Sequence, residues 1–328
     1  MFSWSLPLMN ILKGDFSQIN IKSLLISIGM PFVGILLFLM AWTAIAPSIV
    51  TSLGAVPGPS QVWSQFNTLV DEHKEERLKE VAFYERQEKR NAKKLEKNPD
   101  AKVKIRPYTG KDTFFDQIFR SLITVLSGFI IASIIAIPIG VLCGLNRSFY
   151  SSMNPIIQIF KPVSPLAWLP IVTMVVSALY VSDDPTFEKS FINSMITVML
   201  CCLWPTLINT AVGVAGISQD LKNVSKVLRL GFFTHVFKIV LPASIPMMFT
   251  GLRLSLGIAW MVLIAAEMLA QNPGLGKFVW DEFQNGSSNS LGRIMVAVFV
   301  IGIIGFMLDR VMLFLQQKVS WDKSAELR

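Results

Sequence analysis

The sequence predicts an all-α, polytopic membrane protein with about six transmembrane helices. Hydrophobic residues make up 52% of the 328 residues, charged residues only 16%, and the mean hydropathy is +0.52. These values are too apolar for a soluble domain of this length. Several long apolar runs each supply the roughly 20 residues that a helix needs to cross a bilayer. The formal net charge of +8 fits basic loops of a membrane protein, so we expect contact with membrane lipid and no nucleic-acid partner.

The N-terminal region, residues 1–55, combines a short lead with the first apolar run. Residues 1–22 lack a small-residue cleavage site, which predicts a cytoplasmic or interfacial lead rather than a removable signal peptide. Residues 23–46 are the first predicted span. The proline- and glycine-rich stretch at residues 56–63 is expected to end this helix and to begin a loop.

A charged insertion at residues 71–111 lies inside a predicted extracytoplasmic loop, residues 56–116. Mixed charges at helical spacing, such as those of Glu76 and Lys79, predict an exposed helix that ends before Asn98. We expect a solvated surface element here rather than a catalytic one.

The core region, residues 117–316, holds the other apolar runs, and a polar cytoplasmic tail at residues 317–328 follows it. Spans are predicted at residues 118–145, 153–180, 191–214, 243–270 and 294–315. The second of these is interrupted by Pro155, Pro162, Pro165 and Pro170. A helix exposed to lipid cannot leave so many carbonyl groups unpaired, so this segment is expected to be buried in protein or to lie beside water.

Six spans place both termini on the same side of the membrane. The short loops on that side and the tail carry more basic residues than the short loops opposite, which predicts cytoplasmic termini. The insertion at residues 71–111 would then lie outside, which is acceptable because long loops translocate largely regardless of charge.

The segment at residues 218–241 is short, polar and basic, and it lies between two long apolar runs. Helical spacing gives it an apolar and a basic side, formed by Leu221, Val224 and Leu228 and by Lys222, Lys226 and Arg229. Ser218 is the predicted N-cap, with Asp220 in the first turn, and Gly231 is predicted to end the helix in a left-handed conformation. Periodicity alone fits an ordinary cytoplasmic loop equally well.

Ionisable residues inside the spans are candidates for a substrate pathway, because charge in hydrocarbon is costly. Arg253 and Glu267 on the fifth span are fourteen residues apart, so they differ by about 40° around the helix and about 21 Å along it, with Trp260 midway. A guanidinium suits a small planar oxyanion. Lys161 could add a second positive charge, and Trp204 is a packing residue or an apolar gate. The alternative is that Arg253 and Glu267 pair with groups on neighbouring spans and orient the helices.

The sequence contains no recognisable catalytic or metal-binding motif. The nearest approach to a phosphate-binding loop, Gly276-Lys277-Phe278, lacks the upstream glycine and the hydroxyl residue. His73 and His235 belong to no motif, and the three cysteines lie in apolar runs without a partner pattern. We therefore expect no enzyme activity, no catalytic residue and no metal site in this chain.

Several stretches together resemble the permease subunit of nitrate-type ABC importers, the group that includes nitrate, sulfonate and taurine importers with relatives assigned to bicarbonate and cyanate. The resemblance rests on the spacing of Gly231, Ile239, Leu241 and Pro242 and on the stretches at residues 155–171, 203–214, 219–230 and 241–269. Where the family opens this loop with Glu-Ala-Ala, the sequence has Ser225, Lys226 and Val227.

The resemblance implies a type I importer fold in a multi-pass protein of the bacterial inner membrane. It implies as partners a second copy of the permease, ATP-binding cassette subunits that hold ATP and Mg²⁺, and a substrate-binding protein, with no cofactor in this chain. The loop becomes a coupling helix that contacts the ATPase through Asp220, Leu221, Asn223, Val224, Lys226, Val227, Leu228, Leu230 and Gly231. Nitrate or nitrite is the leading substrate. Bicarbonate, cyanate or an alkanesulfonate, and an ATP-independent transporter, remain open alternatives.

Overall fold

A computed structural model describes residues 29–51, 54–98, 103–181, 187–287 and 289–319. The predicted lead at residues 1–22, the loop aspartates Asp183 and Asp184, and the tail from residue 320 onward lie outside the described residues.

Among the described residues, the secondary structure is helical apart from one short hairpin, in which β1 (Val50–Thr51) pairs antiparallel with β2 (Gly54–Ala55). The helices in chain order are α1 (Met30–Ile45), α2 (Pro59–Lys97), α3 (Phe114–Leu145), α4 (Arg147–Phe160), α5 (Pro165–Leu179), α6 (Lys189–Ala215), α7 (Gln219–Val227), α8 (Phe232–His235), α9 (Leu241–Ala270), α10 (Leu275–Asn285) and α11 (Ser290–Val319). A 3₁₀ turn (Ala46–Ser48) extends α1, and a π-helical turn (Val236–Val240) joins α8 to α9.

The all-α bundle of about six spans is confirmed. By length and composition, five helical runs in the described part of the chain can cross a membrane: α1 with its 3₁₀ turn, α3, α6, the continuous run through α8 and α9, and α11. The pair α4 and α5 passes the same test together but is bent by 99° at its break, which gives a sixth, broken span.

The broken span differs from the single predicted span at residues 153–180. Pro165 occupies the first turn of α5, where its missing N–H costs nothing, and the Ser164 hydroxyl accepts a hydrogen bond from the Leu166 N–H at 3.3 Å. Pro155 and Pro170 are accommodated inside α4 and α5. The break therefore lies at Pro162, between two helices whose ends are defined by local sequence.

Helix α2 differs most from the prediction. Instead of a loop at residues 56–63, the chain begins a 39-residue helix at Pro59, and the Gly58 N–H donates to the Gln61 side chain at 3.1 Å. A proline in the first turn is pre-organised for a helix, so the same residue that ends one helix starts another. Residues 71–97 of the charged insertion continue α2, which ends at Lys97, before Asn98, as predicted.

The centre of the bundle is α6, which packs against α3 on one side and α9 on the other. A Cβ at Gly140 of α3 would lie 2.7 Å from Thr210, and a Cβ at Gly251 of α9 would lie 2.7 Å from Asn209. Small residues at such crossings let helix backbones approach closely, as is typical of membrane bundles. Buried polar groups join the same helices, because the Ser255 hydroxyl donates to the Cys202 carbonyl at 2.6 Å.

Candidate coupling surface and translocation pathway

The polar segment between α6 and α9 forms the candidate coupling surface. Ser218 occupies the N-cap position of α7 as predicted, but its side chain makes no capping hydrogen bond. The predicted left-handed turn at Gly231 is wrong, because Arg229 takes that conformation with φ 48°. The helix closes two residues earlier, with the Leu230 N–H donating to the Ser225 carbonyl at 3.1 Å. Gly231 instead has φ −65° and ψ 160° and starts α8.

A side-chain contact joins α7 to α8. The buried Ser225 hydroxyl and His235 Nδ1 lie 2.7 Å apart, so the two short helices form one compact unit directly before α9. His235 is thus a structural member of this segment.

The apolar side of α7 is uncovered in the single chain. Val227 is 81% exposed, and Leu221, Val224 and Leu228 are also exposed. The remaining predicted contact residues are exposed too, apart from half-buried Leu230: they are Asp220, Asn223, Lys226 and Gly231. An apolar face with a basic rim, connected rigidly to α9, can transmit the movement of a subunit that docks on it.

Arg253 of α9 forms an ion pair with Asp309 of α11. Its Nε and Nη2 atoms lie 3.0 and 2.8 Å from the same carboxylate oxygen, Asp309 Oδ1. The other carboxylate oxygen accepts from Arg310 at 2.9 Å. The pair is partly exposed, so Arg253 remains within reach of water and of a small anion.

Trp260 faces the same neighbouring helix as Arg253. Its indole Nε1 donates to the Ile301 carbonyl of α11 at 2.9 Å, and the ring lies beside Gly305. The inner and middle parts of the predicted pathway side of α9 are therefore covered by α11 within one chain.

Glu267 is enclosed at the opposite end of α9, with 0% exposure. The Ser121 hydroxyl donates to its carboxylate at 2.8 and 2.9 Å, and the Gly276 N–H donates at 2.9 Å. A Cβ added at Gly274 would overlap the carboxylate. These contacts favour the alternative that Glu267 orients α3, α9 and α10.

Lys161 and Trp204 lie near the broken span. Lys161 is exposed at the end of α4, and the Trp204 ring stacks on Phe160 with centroids 6.3 Å apart. Phe160 also stacks on Trp168, at 5.7 Å. The buried indole N–H groups of Trp168 and Trp204 find no hydrogen-bond partner within the described residues. Buried donors without a partner are suited to an acceptor such as an anion.

Sequence reasoning missed Asp309 and Ser121 as partners. Asp309 carried a usable signal, because it is a carboxylate inside an apolar run and must face a partner. Ser121 carried none, since serine hydroxyls are common in membrane helices and usually donate to their own backbone.

The comparisons with known proteins agree with this architecture. Residues 136–321 match the family model described as the inner membrane component of binding-protein-dependent transport systems. The chain is 34% identical over 289 residues to the bicarbonate transport system permease protein CmpB of Synechococcus elongatus, covering 88% of each chain. It is 37% identical over 203 residues to the nitrate import permease protein NrtB of a Synechocystis species, covering 62% of this chain and 69% of the relative.

Among solved structures, the inward-facing MetNI methionine ABC transporter has a matching chain with a TM-score of 0.53 at 13% identity. The match covers 63% of this chain and 96% of that one. This likeness supports the type I importer fold and nothing finer. The chain belongs to the inner membrane components of binding-protein-dependent transport systems, as a permease subunit of a nitrate-type ABC importer that leaves ATP hydrolysis to partner subunits.

Proposed function

We propose that two copies of this chain form the pathway by which an ATP-driven importer carries nitrate across the bacterial inner membrane. The observation that carries this proposal is the 37% identity to a nitrate import permease. In the proposed assembly both termini are cytoplasmic, and ATP and Mg²⁺ are held by two ATP-binding subunits. A substrate-binding protein delivers the anion from outside.

The coupling step follows from the connection between α7 and α9. Ser225 and His235 hold the coupling surface together, and a continuous helical run leads from α8 into α9. Closure of the ATP-binding subunits would therefore shift α9 and the helices packed on it. A bundle biased at one end by nucleotide and at the other by the loaded binding protein alternates between two states.

The anion would meet groups that can donate hydrogen bonds. Arg253 is held by Asp309 in the described conformation, and an anion that enters when the pair opens would replace that carboxylate. Lys161 and the indole N–H groups of Trp168 and Trp204 offer further donors. Trp260 and Glu267 hold α9 against its neighbouring helices.

Bicarbonate is the second candidate, and it is favoured by a separate observation. The match to the bicarbonate permease covers 88% of this chain, against 62% for the nitrate permease. Both anions are small, planar and singly charged, so the same donors suit either.

Uptake measurements distinguish the two. Cells that lack or express this chain would be given labelled nitrate and labelled bicarbonate separately. Uptake of nitrate that depends on the chain and ceases on ATP depletion is the expected result. Chain-dependent uptake of bicarbonate alone supports the second candidate, and uptake that survives ATP depletion, in a chain that never co-purifies with an ATP-binding subunit, contradicts the importer mechanism.

A further inference from the structure

Helix α2 extends well beyond the bundle that anchors it. Its first half packs against α11, with Val62 and Leu69 buried, and Arg293 of α11 pairs with Glu72. Beyond Glu80, α2 contacts the returning strap at residues 103–113, where the ring centroids of Phe83 and Tyr108 lie 5.4 Å apart. Arg86 lies 17 residues past Leu69, or about 25 Å along the helix.

The strap makes this extension a defined element. The Gln87 side chain forms two hydrogen bonds with the Arg106 backbone, at 2.8 and 3.1 Å. The Tyr108 hydroxyl donates to Glu76 at 2.7 Å, and the Tyr108 N–H donates to the Tyr84 hydroxyl at 3.1 Å. The free half of α2 and the strap, named here the stalk, are thus fixed to each other.

The stalk carries a basic stripe, formed by Arg86, Lys89, Arg90, Lys93, Lys94 and Lys97. These residues follow the spacing i, i+3, i+4, i+7, i+8 and i+11, so at 100° per residue they fall within an arc of about 140° and span about 16 Å. All six are exposed, and none forms an ion pair within the part of the chain that the structure describes.

The acidic residues near this stripe do not neutralise it. Glu88 lies on the opposite side of the helix, and Glu85 and Glu96 lie along one edge of the stripe without forming an ion pair with it in the described residues. The base of α2, in contrast, holds its cations in ion pairs, such as Lys79 with Glu76 at 3.3 Å. A solvated charged helix commonly intersperses both signs to gain such pairs. Six like charges on one face repel each other, so the arrangement is better suited to an anionic partner.

The stalk stands at the end of the bundle opposite the coupling surface. Its base contacts the first turns of α3 and α11, through Arg77 with Asp116 and through Arg293, which also pairs with Glu282 of α10. The coupling segment joins the other ends of α6 and α9. In an importer that depends on a binding protein, the side away from the ATP-binding subunits is the side from which that protein arrives.

We propose that the basic stripe of the stalk is a docking site for an acidic face of the substrate-binding protein. The inference rests on the proposed function only in requiring such a partner, and it is independent of which anion is carried. The stripe guides the loaded binding protein to the outer mouth and holds it there by charge, which raises the association rate at low ionic strength.

The test uses a substrate-binding protein that supports uptake by this importer. Its binding to the complete importer is measured in nanodiscs of zwitterionic lipid. The stripe variant Lys89→Gln/Arg90→Gln/Lys93→Gln is compared with Lys74→Gln/Lys79→Gln/Lys111→Gln, which removes the same charge outside the stripe. We expect the stripe variant to bind about tenfold more weakly at low salt, with a smaller dependence on ionic strength, and the control to bind within about twofold of the wild type.

Equal binding by wild type and stripe variant overturns the proposal. So does an effect that appears only when the nanodiscs contain phosphatidylglycerol, because the stripe would then bind lipid. If the wild-type importer transports its anion without any binding protein, the proposed function fails together with this inference. If wild type and stripe variant bind the substrate-binding protein equally well and uptake still requires that protein, only the docking site is refuted.

Discussion

Ser121 of α3 and Glu267 of α9 are joined by a hydroxyl that lies 2.8 and 2.9 Å from the two carboxylate oxygens, in a site closed to solvent. The same hydroxyl accepts the Leu275 N–H at 2.9 Å, and the Gly276 N–H donates to Glu267. One serine therefore connects three helices, and the first N–H groups of α10 gain the anionic partner that a helix N-terminus favours.

Replacing Ser121 by Ala should destabilise the folded permease by about 1–3 kcal/mol, because it leaves a buried carboxylate and a buried N–H with fewer partners. Thermal unfolding of the purified complex, followed by size exclusion, measures this. Ser133→Ala is the matched control, because the Ser133 hydroxyl donates only to its own helix, at Phe129. An equal loss of stability in both variants would contradict the three-helix role of Ser121.

The spans were predictable because apolar runs of sufficient length report on the bilayer directly. The helix boundaries were harder to predict. Pro59 and Pro165 each start a helix, but a proline can either end the segment before it or begin the segment after it. Gly231 illustrates the same limit. The left-handed residue that ends α7 is Arg229, next to a backbone hydrogen bond from Leu230 to Ser225, and arginine is not a residue type that predicts this conformation.

For the candidate site, sequence identified the charged residues but not their partners. Arg253 was singled out by the cost of charge in a membrane, yet its partner Asp309 is 56 residues away in sequence. Pairing between distant helices depends on which faces meet, and helical periodicity defines a face without defining its neighbour.

Arg253→Gln should reduce uptake about tenfold or more while the complex still assembles, if the guanidinium binds the anion by charge-assisted hydrogen bonds. Asp309→Asn tests the other role of the pair, because it releases Arg253 without removing its charge. The double variant decides between the two: a purely helix-orienting pair predicts that Arg253→Gln/Asp309→Asn regains uptake relative to Arg253→Gln. Continued inactivity of the double variant supports anion binding.

Val227→Asp and Leu228→Asp should abolish co-purification of the ATP-binding subunits, because each places a charge on the exposed apolar face of α7. Gln219→Glu adds the same charge on the polar side of α7 and should leave the complex intact. Gly231→Pro, by contrast, is expected to be tolerated, since the φ of −65° at Gly231 is the value that proline adopts. Retained ATP-binding subunits in both apolar-face variants would place the docking surface elsewhere.

Trp204→Phe should raise the KM for the transported anion by several-fold, about the effect of one lost hydrogen bond to a charged group, with little change in kcat. Phenylalanine keeps an aromatic ring beside Phe160 but removes the unpaired indole N–H together with the five-membered ring that carries it. Trp280→Phe removes the same atoms and is a suitable control, because Trp280 lies on α10, where its ring is tilted against Phe283 with centroids 5.9 Å apart. Unchanged kinetics for Trp204→Phe would return this side chain to a packing role.

The stalk should loosen in acid. The hydrogen bond from Tyr108 holds the pKa of Glu76 below its usual value, and the same bond raises the pKa of Tyr108. Because the folded-state pKa of Glu76 is depressed, its contribution to stability is present above the unfolded pKa and is lost as the pH falls through the folded one. The contribution of Tyr108 is lost only as the pH rises through its raised pKa, so both groups are in their bonded forms at neutral pH.

Spin labels at Ala82 and Ile105 measure the distance between helix and strap, and we expect a narrow distribution at neutral pH that broadens as Glu76 becomes protonated. Glu76→Gln should show a broadened distance distribution that no longer changes with pH in the acid range, whereas Glu75→Gln should behave as wild type. If the wild-type distribution stays narrow in acid, other contacts are sufficient to hold the strap against α2.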